Sequence, residues 1–226
     1  MSSFNAEVSE AENEELNNSS YEIQNWDDLE ISPNLLRGIF AYGFEKPSPI
    51  QQKAIRPLVM KKDIVAQAQS GTGKTATFTI GALANVDVTD NTTQVLVLSP
   101  TKELTSQTAK VFESLGVMME GLRVQALYGG AVIEEISSFS NKNVPHVICG
   151  CPGRVHDMMY RDKISSKKIK LVILDEADEM LSSGFKEQVY NIFQYFSPGS
   201  PQTESPIIFF INILPVSFSS ESRASI

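Results

Sequence analysis

Residues 63 to 78 read DIVAQAQSGTGKTATF, an apolar run followed by two closely spaced glycines, a lysine and a threonine. No other stretch limits the possible folds as much. Gly71 and Gly73 let the backbone turn its N–H groups inward at the end of a strand, forming an anion-binding concavity. A helix starting near Lys74 adds the positive end of its dipole. Ala68-Gln69-Ser70-Gly71-Thr72-Gly73-Lys74-Thr75 fits the phosphate-loop template except at Ala68, where the template has glycine. In that template Lys74 reaches the β- and γ-phosphates and the Thr75 hydroxyl binds Mg²⁺. The plain alternative is a Gly-Thr surface turn, and the strand before and helix after argue against it.

The rest of the chain alternates in the same way. Strands are predicted over Asp63–Ala66, Gln94–Leu98, Val124–Tyr128, His146–Cys149 and Lys170–Leu174, with helix-like stretches between them. Pro33 suits the first turn of an early helix running to Phe40. Several strands are nearly continuous in apolar residues, as strands covered on both faces should be. The predicted class is therefore α/β, a parallel sheet with helices on both faces. In such sheets ligands bind beyond the carboxyl ends of the strands. The acids Asp175-Glu176-Ala177-Asp178 directly follow the strand ending at Leu174, so they are predicted on the same rim as the glycine loop. Asp175 is placed to hold Mg²⁺, and Glu176 to orient or deprotonate an attacking water. A solvated helix N-terminus is the simpler reading of these acids. The phosphate loop upstream favours the metal.

Composition excludes little. The formal charge is −8, but residues 1 to 30 hold nine acids and no Lys or Arg, which leaves 18 acids against 19 bases. The Ser-, Asn- and Glu-rich residues 1 to 20 are predicted to be disordered. Net charge therefore neither supports nor excludes a nucleic-acid partner. No apolar run approaches the ~18–20 residues of a membrane span, and no secretory h-region opens the chain. The two cysteines suit a reducing intracellular setting. His146, Cys149, Cys151 and His156 lie close together, but C-x-C is not zinc spacing.

Asp175-Glu176-Ala177-Asp178 together with residues 68 to 75 resembles a DEAD-box RNA helicase. Gly43-Phe44-Glu45-Lys46-Pro47-Ser48-Pro49-Ile50-Gln51 resembles the Q motif of that family. There Phe44 would stack on adenine, Gln51 would pair with its edge, and Trp26 would pack beneath. Pro100-Thr101-Lys102-Glu103-Leu104 is similar to motif Ia, Gly129-Gly130 to the GG element, and Cys151-Pro152-Gly153-Arg154 to motif Ib. The resemblance implies that Thr101, Lys102, Gly129, Gly130 and Arg154 track an RNA backbone without reading sequence. It covers about residues 22 to 202 and is nearest the branch of translation-initiation and exon-junction helicases. It implies a first RecA-like domain over residues 21 to 202, ATP and Mg²⁺ as ligands, RNA as partner, and a scaffold protein of the initiation or exon-junction type. It also implies no membrane, a monomer, and a cytoplasmic setting with the nucleus as alternative. The expected catalytic residues are Lys74, Asp175 and Glu176, the metal residues Thr75 and Asp175. Asp178 would serve the nucleotide through a Ser-Ala-Thr partner.

The sequence departs from the family in several places. Lys102 replaces an arginine fork with a point charge, and Cys151 replaces a threonine hydroxyl. After Gln202 the chain reads TESPIIFFINILPVSFSSESRASI. Ile207–Ile211 is a sixth-strand candidate, but no Ser-Ala-Thr follows it. Residues 203 to 226 are read as a divergent tail that looks like a truncated or misread frame, with the second RecA-like domain missing. The chain alone is then expected to bind nucleotide and hydrolyse it slowly. A non-catalytic ATP- and RNA-binding module is the alternative.

Overall fold

The computed structural model describes residues 21–67, 71–130, 143–182, 184–196 and 207–211. A 3₁₀ turn, Trp26–Asp28, precedes α1 (Pro33–Ala41) and α2 (Pro49–Val59). Then follow β1 (Ile64–Gln67), α3 (Lys74–Leu83), β2 (Val95–Leu98), α4 (Lys102–Leu115), β3 (Val124–Leu127) and β4 (Val147–Gly150). The remaining elements are α5 (Pro152–Tyr160), β5 (Leu171–Asp175), α6 (Ala177–Ser182), α7 (Lys186–Gln194) and β6 (Ile207–Ile211). The acidic stretch 1 to 20 lies outside the described residues.

Local chemistry sets where the helices begin. Pro33 and Pro49 each open a helix, where a missing N–H costs nothing. The Ser32 hydroxyl accepts from Leu35 N–H at 3.2 Å, and Thr101 caps α4 in the same way through Leu104 N–H at 3.2 Å.

The six strands are parallel, in the order β1-β6-β5-β2-β4-β3. Alternation along each strand divides the core in two. Val95, Val97, Leu171 and Ile173 face one layer with Leu35, Ile55, Phe78 and Phe112 from α1 to α4. Leu96, Leu98, Val172 and Leu174 face the other with Val155, Met158, Met180 and Ile192 from α5 to α7. With both faces covered, β2 and β5 are buried at every residue, which is why they read as unbroken apolar runs.

The predicted strands were located to within a residue at their ends. Each observed strand lies one residue to the C-terminal side of its prediction or falls inside it. His146 consequently precedes β4 instead of lying on it. Its ring is buried against Arg123, whose N–H donates to Nδ1 at 3.1 Å. Ile207–Ile211 pairs with both β1 and β5, so part of the segment after Gln202 completes the sheet.

Candidate functional site

A parallel sheet brings every strand-to-helix turn to one rim, and the order of the strands sorts what those turns carry. The glycine turn after β1 and the acids after β5 occupy one half. The turns after β2, β4 and β3 occupy the other.

In the first half, Gly71 and Gly73 take left-handed backbones, φ 80° and 98°, which side-chain-bearing residues rarely adopt. Gly73 caps α3. Lys74, the first helical residue, is 7% exposed, and among the described residues its Nζ makes no hydrogen bond. The nearest carboxylate oxygen is Glu176 Oε1 at 3.8 Å. A buried ammonium with unfilled donors is costly, and polyphosphate oxygens at this rim are the chemistry that would satisfy it. Thr75 follows, half-buried. Ala68, Gln69 and Ser70 lie outside the described residues.

Asp175 ends β5 and is 4% exposed. Burial, then the charge of Glu176, pushes its carboxyl from 3.8 up to about 6; Lys74, the Thr108 hydroxyl and the Glu176 N–H pull the other way. A hard, desolvated carboxylate on the same rim as a half-buried threonine suits an oxygen-seeking divalent cation such as Mg²⁺, which keeps waters and needs few protein ligands. Glu176 itself has φ 55°, a strained backbone for a non-glycine residue of the kind that collects at functional turns. Asp178 is exposed in the first turn of α6. Its anticipated Ser-Ala-Thr position lies outside the described residues.

Gln51 reaches this rim from outside the sheet, and Phe44 lies a few residues before it in the chain. Phe44 stacks on buried Trp26 with centroids 6.1 Å apart and tilts against Tyr42 at 4.9 Å. Ser48 Oγ donates to the Thr72 carbonyl at 3.0 Å. Gln51 is 2% exposed, and its Oε1 accepts from Ser48 N–H at 2.7 Å. A Cβ placed on Gly73 would lie 2.9 Å from Gln51 Nε2. Gln51 therefore braces the helix start and the glycine turn in this structure, with one lone pair of Oε1 engaged by Ser48. Gly73 is needed twice, for its positive φ and for that close approach.

The second half gathers the remaining predicted residues. Thr101 caps α4, and Lys102 Nζ sits 4.9 Å above the Tyr128 ring, a cation–π contact joining the β2 and β3 turns. Gly129 and Gly130 are exposed, Gly130 at φ 87°. Arg154 is folded down onto α5: Nη1 donates to Asp157 Oδ2 at 3.2 Å, while Nε and Nη2 are buried without partners among the described residues. Arg161 shares the same carboxylate at 2.7 Å. Two unfilled guanidinium donors at the rim are an arrangement that phosphate oxygens would complete.

Sequence reasoning missed Ser48 as a brace, Asp157 as the partner of Arg154, and Thr108 on Asp175. Ser48 lay inside a quoted motif, and Asp157 stands one turn from Arg154, so both were within reach of spacing rules. Thr108 lay within reach of none.

Comparison with known proteins agrees with this geometry. A sequence model described as DEAD/DEAH box helicase matches residues 48–211. The ATP-dependent RNA helicase eIF4A of Schizosaccharomyces pombe is 48% identical over 176 residues, covering 78% of this chain and 44% of that protein. The protein of the same name from Lodderomyces elongisporus is 51% identical over 173 residues, covering 76% and 43%. Among solved structures, a DEAD box protein from the hyperthermophile Methanococcus jannaschii superposes with TM-score 0.76 at 37% identity, over 86% of this chain and 51% of that one. Dbp5 of S. cerevisiae bound to RNA and ADP BeF3 gives 0.71 at 33%, over 85% and 47%. The chain spans about half the length of these relatives. With the matched span running from Ser48 to Ile211 and taking in both halves of the rim, the chain belongs to the DEAD/DEAH box helicase family.

Proposed function

We propose that the chain is the nucleotide-binding half of an ATP-dependent RNA helicase, with ATP as substrate and an RNA backbone as partner. The observation that carries this reading is the buried Lys74 ammonium, without a hydrogen bond and 3.8 Å from Glu176, on the rim shared with Asp175. Family membership and the RNA- and nucleotide-bound state of the Dbp5 neighbour support it.

Lys74 and the N–H groups of Gly71 to Thr75 grip the triphosphate. Thr75 and Asp175 would hold Mg²⁺, which when bound neutralises charge on the β- and γ-phosphates. Glu176 orients the attacking water and takes its proton. Phe44 and the side-chain amide of Gln51 meet the adenine. Thr101, Lys102, Gly129, Gly130 and Arg154 hold RNA phosphates and 2′-hydroxyls.

A second reading is binding without turnover. Ile211 is followed by Asn-Ile-Leu-Pro instead of Ser-Ala-Thr, which leaves Asp178 without the hydroxyl partner the family supplies. Steady-state ATP hydrolysis with and without single-stranded RNA separates the two. RNA-stimulated turnover, abolished by Glu176→Gln, supports the enzyme; nucleotide and RNA binding with no stimulated turnover supports the module. Absence of both kinds of binding rejects either.

A further inference from the structure

Lys102 occupies an unfavourable place for a cation. It is the first residue of α4, where the positive end of the helix dipole opposes its charge. The side chain is exposed, and among the described residues no ion pair joins it to a carboxylate. Its partner is the ring of Tyr128, with Nζ 4.9 Å from the centroid. Tyr128 directly follows β3 and is half-buried. An aromatic face attracts an ammonium through its quadrupole. A carboxylate would attract it more strongly but would cancel its charge. The ring therefore confines a flexible four-carbon stem and leaves the charge and three N–H donors for an incoming anion. The other predicted cation on this half is held differently, since Arg154 shares the Asp157 carboxylate with Arg161.

Both partners are tied to one bonded chain. The Thr105 hydroxyl donates to the Thr101 carbonyl at 2.8 Å, just before Lys102. Because that hydroxyl has one hydrogen, its 3.4 Å contact with Cys151 Sγ is an S–H donation from the cysteine. The Cys151 N–H donates to the Leu127 carbonyl at 2.9 Å, one residue before the ring. The start of α4 is thus linked through the β4 turn to the residue that carries the aromatic face. Resting on the proposed role of Lys102 in holding RNA phosphates, we propose that Tyr128 is a positioning residue that aims the Lys102 ammonium at an RNA phosphate on the β3 turn. A lysine has no planar fork to set its direction, and the tyrosine supplies that direction from a neighbouring turn. The exposed Gly129 and Gly130 come next in the chain, so the charge and the glycine backbone are gathered at one turn.

The test is a double-mutant cycle, read as equilibrium binding of a labelled oligouridylate to the 226-residue chain with thermal melting alongside. Tyr128→Leu should weaken RNA binding by about 2- to 5-fold, and Tyr128→Phe, which keeps the ring, should retain the parent affinity. In a Lys102→Met background Tyr128→Leu should have no further effect. Should the leucine variant not fold, Tyr128→Met read against Tyr128→Phe gives the same comparison. Leucine and phenylalanine variants of equal affinity overturn the proposal, and so does an undiminished effect of Tyr128→Leu in the Lys102→Met background. Lys102→Met alone distinguishes the levels. If it weakens RNA binding while Tyr128→Leu does not, only the role of Tyr128 falls. If it leaves RNA binding intact, or the parent chain binds no oligouridylate, the RNA reading of Lys102 falls as well.

Discussion

At the scale of single residues, Asp175 combines a cost and a use. Its folded carboxyl titrates at about 6 against an ordinary 3.8. The folded state therefore holds the proton more tightly. The contribution is fully stabilising below pH ~4 and is lost as pH rises through about 6. At neutral pH the ionised group costs on the order of 3 kcal/mol. Asp175→Asn should raise the melting temperature by about 6–12 °C near neutral pH, and the gap should close as the pH falls through 6. The same titration makes Mg²⁺-dependent nucleotide affinity decline below pH 6 in the parent chain. At the other half of the rim, Arg154→Ala should weaken binding of single-stranded RNA uniformly across sequences. It should also lower the slope of log affinity against log salt by about 0.7. An unchanged salt slope would remove Arg154 from the set of phosphate contacts.

At the scale of elements, what the sequence revealed depended on whether a signal was local. The strands were legible because burial on both faces makes them unbroken apolar runs, and the phosphate loop because its glycines, lysine and helix start are consecutive. Gln51 was located but its engagement was not. The Ser48-to-Gln51 spacing can brace a helix start or serve a base, and only the 2.7 Å bond to Ser48 N–H shows which partner holds Oε1 in this structure. The pull of the Thr108 hydroxyl on the Asp175 carboxyl was invisible because no periodicity connects α4 to the end of β5. Helix packing contributes a further constraint. A Cβ on Gly38 in α1 would run into the Leu115 carbonyl at the end of α4. That neighbour is backbone and cannot turn aside, so Gly38→Ala should lower stability by about 1–3 kcal/mol. Chemical denaturation reads this directly, and a neutral effect would mean that α1 and α4 can separate.

For the whole molecule, the strand order β1-β6-β5-β2-β4-β3 turns one rim into two adjoining sites. The nucleotide groups stand over β1 and β5, the phosphate-tracking groups over β2, β4 and β3, and α4 packs against β3 and β4. The claim on which the rest depends is that Lys74 waits, buried and without a hydrogen bond, for a polyphosphate. Calorimetric titration of ADP with Mg²⁺ into the parent chain and Lys74→Ala tests it most directly. Removing hydrogen bonds from a charged group worth ~1.5–3 kcal/mol should weaken binding by roughly 10- to 100-fold at unchanged fold. Equal affinity in the two proteins would contradict the account.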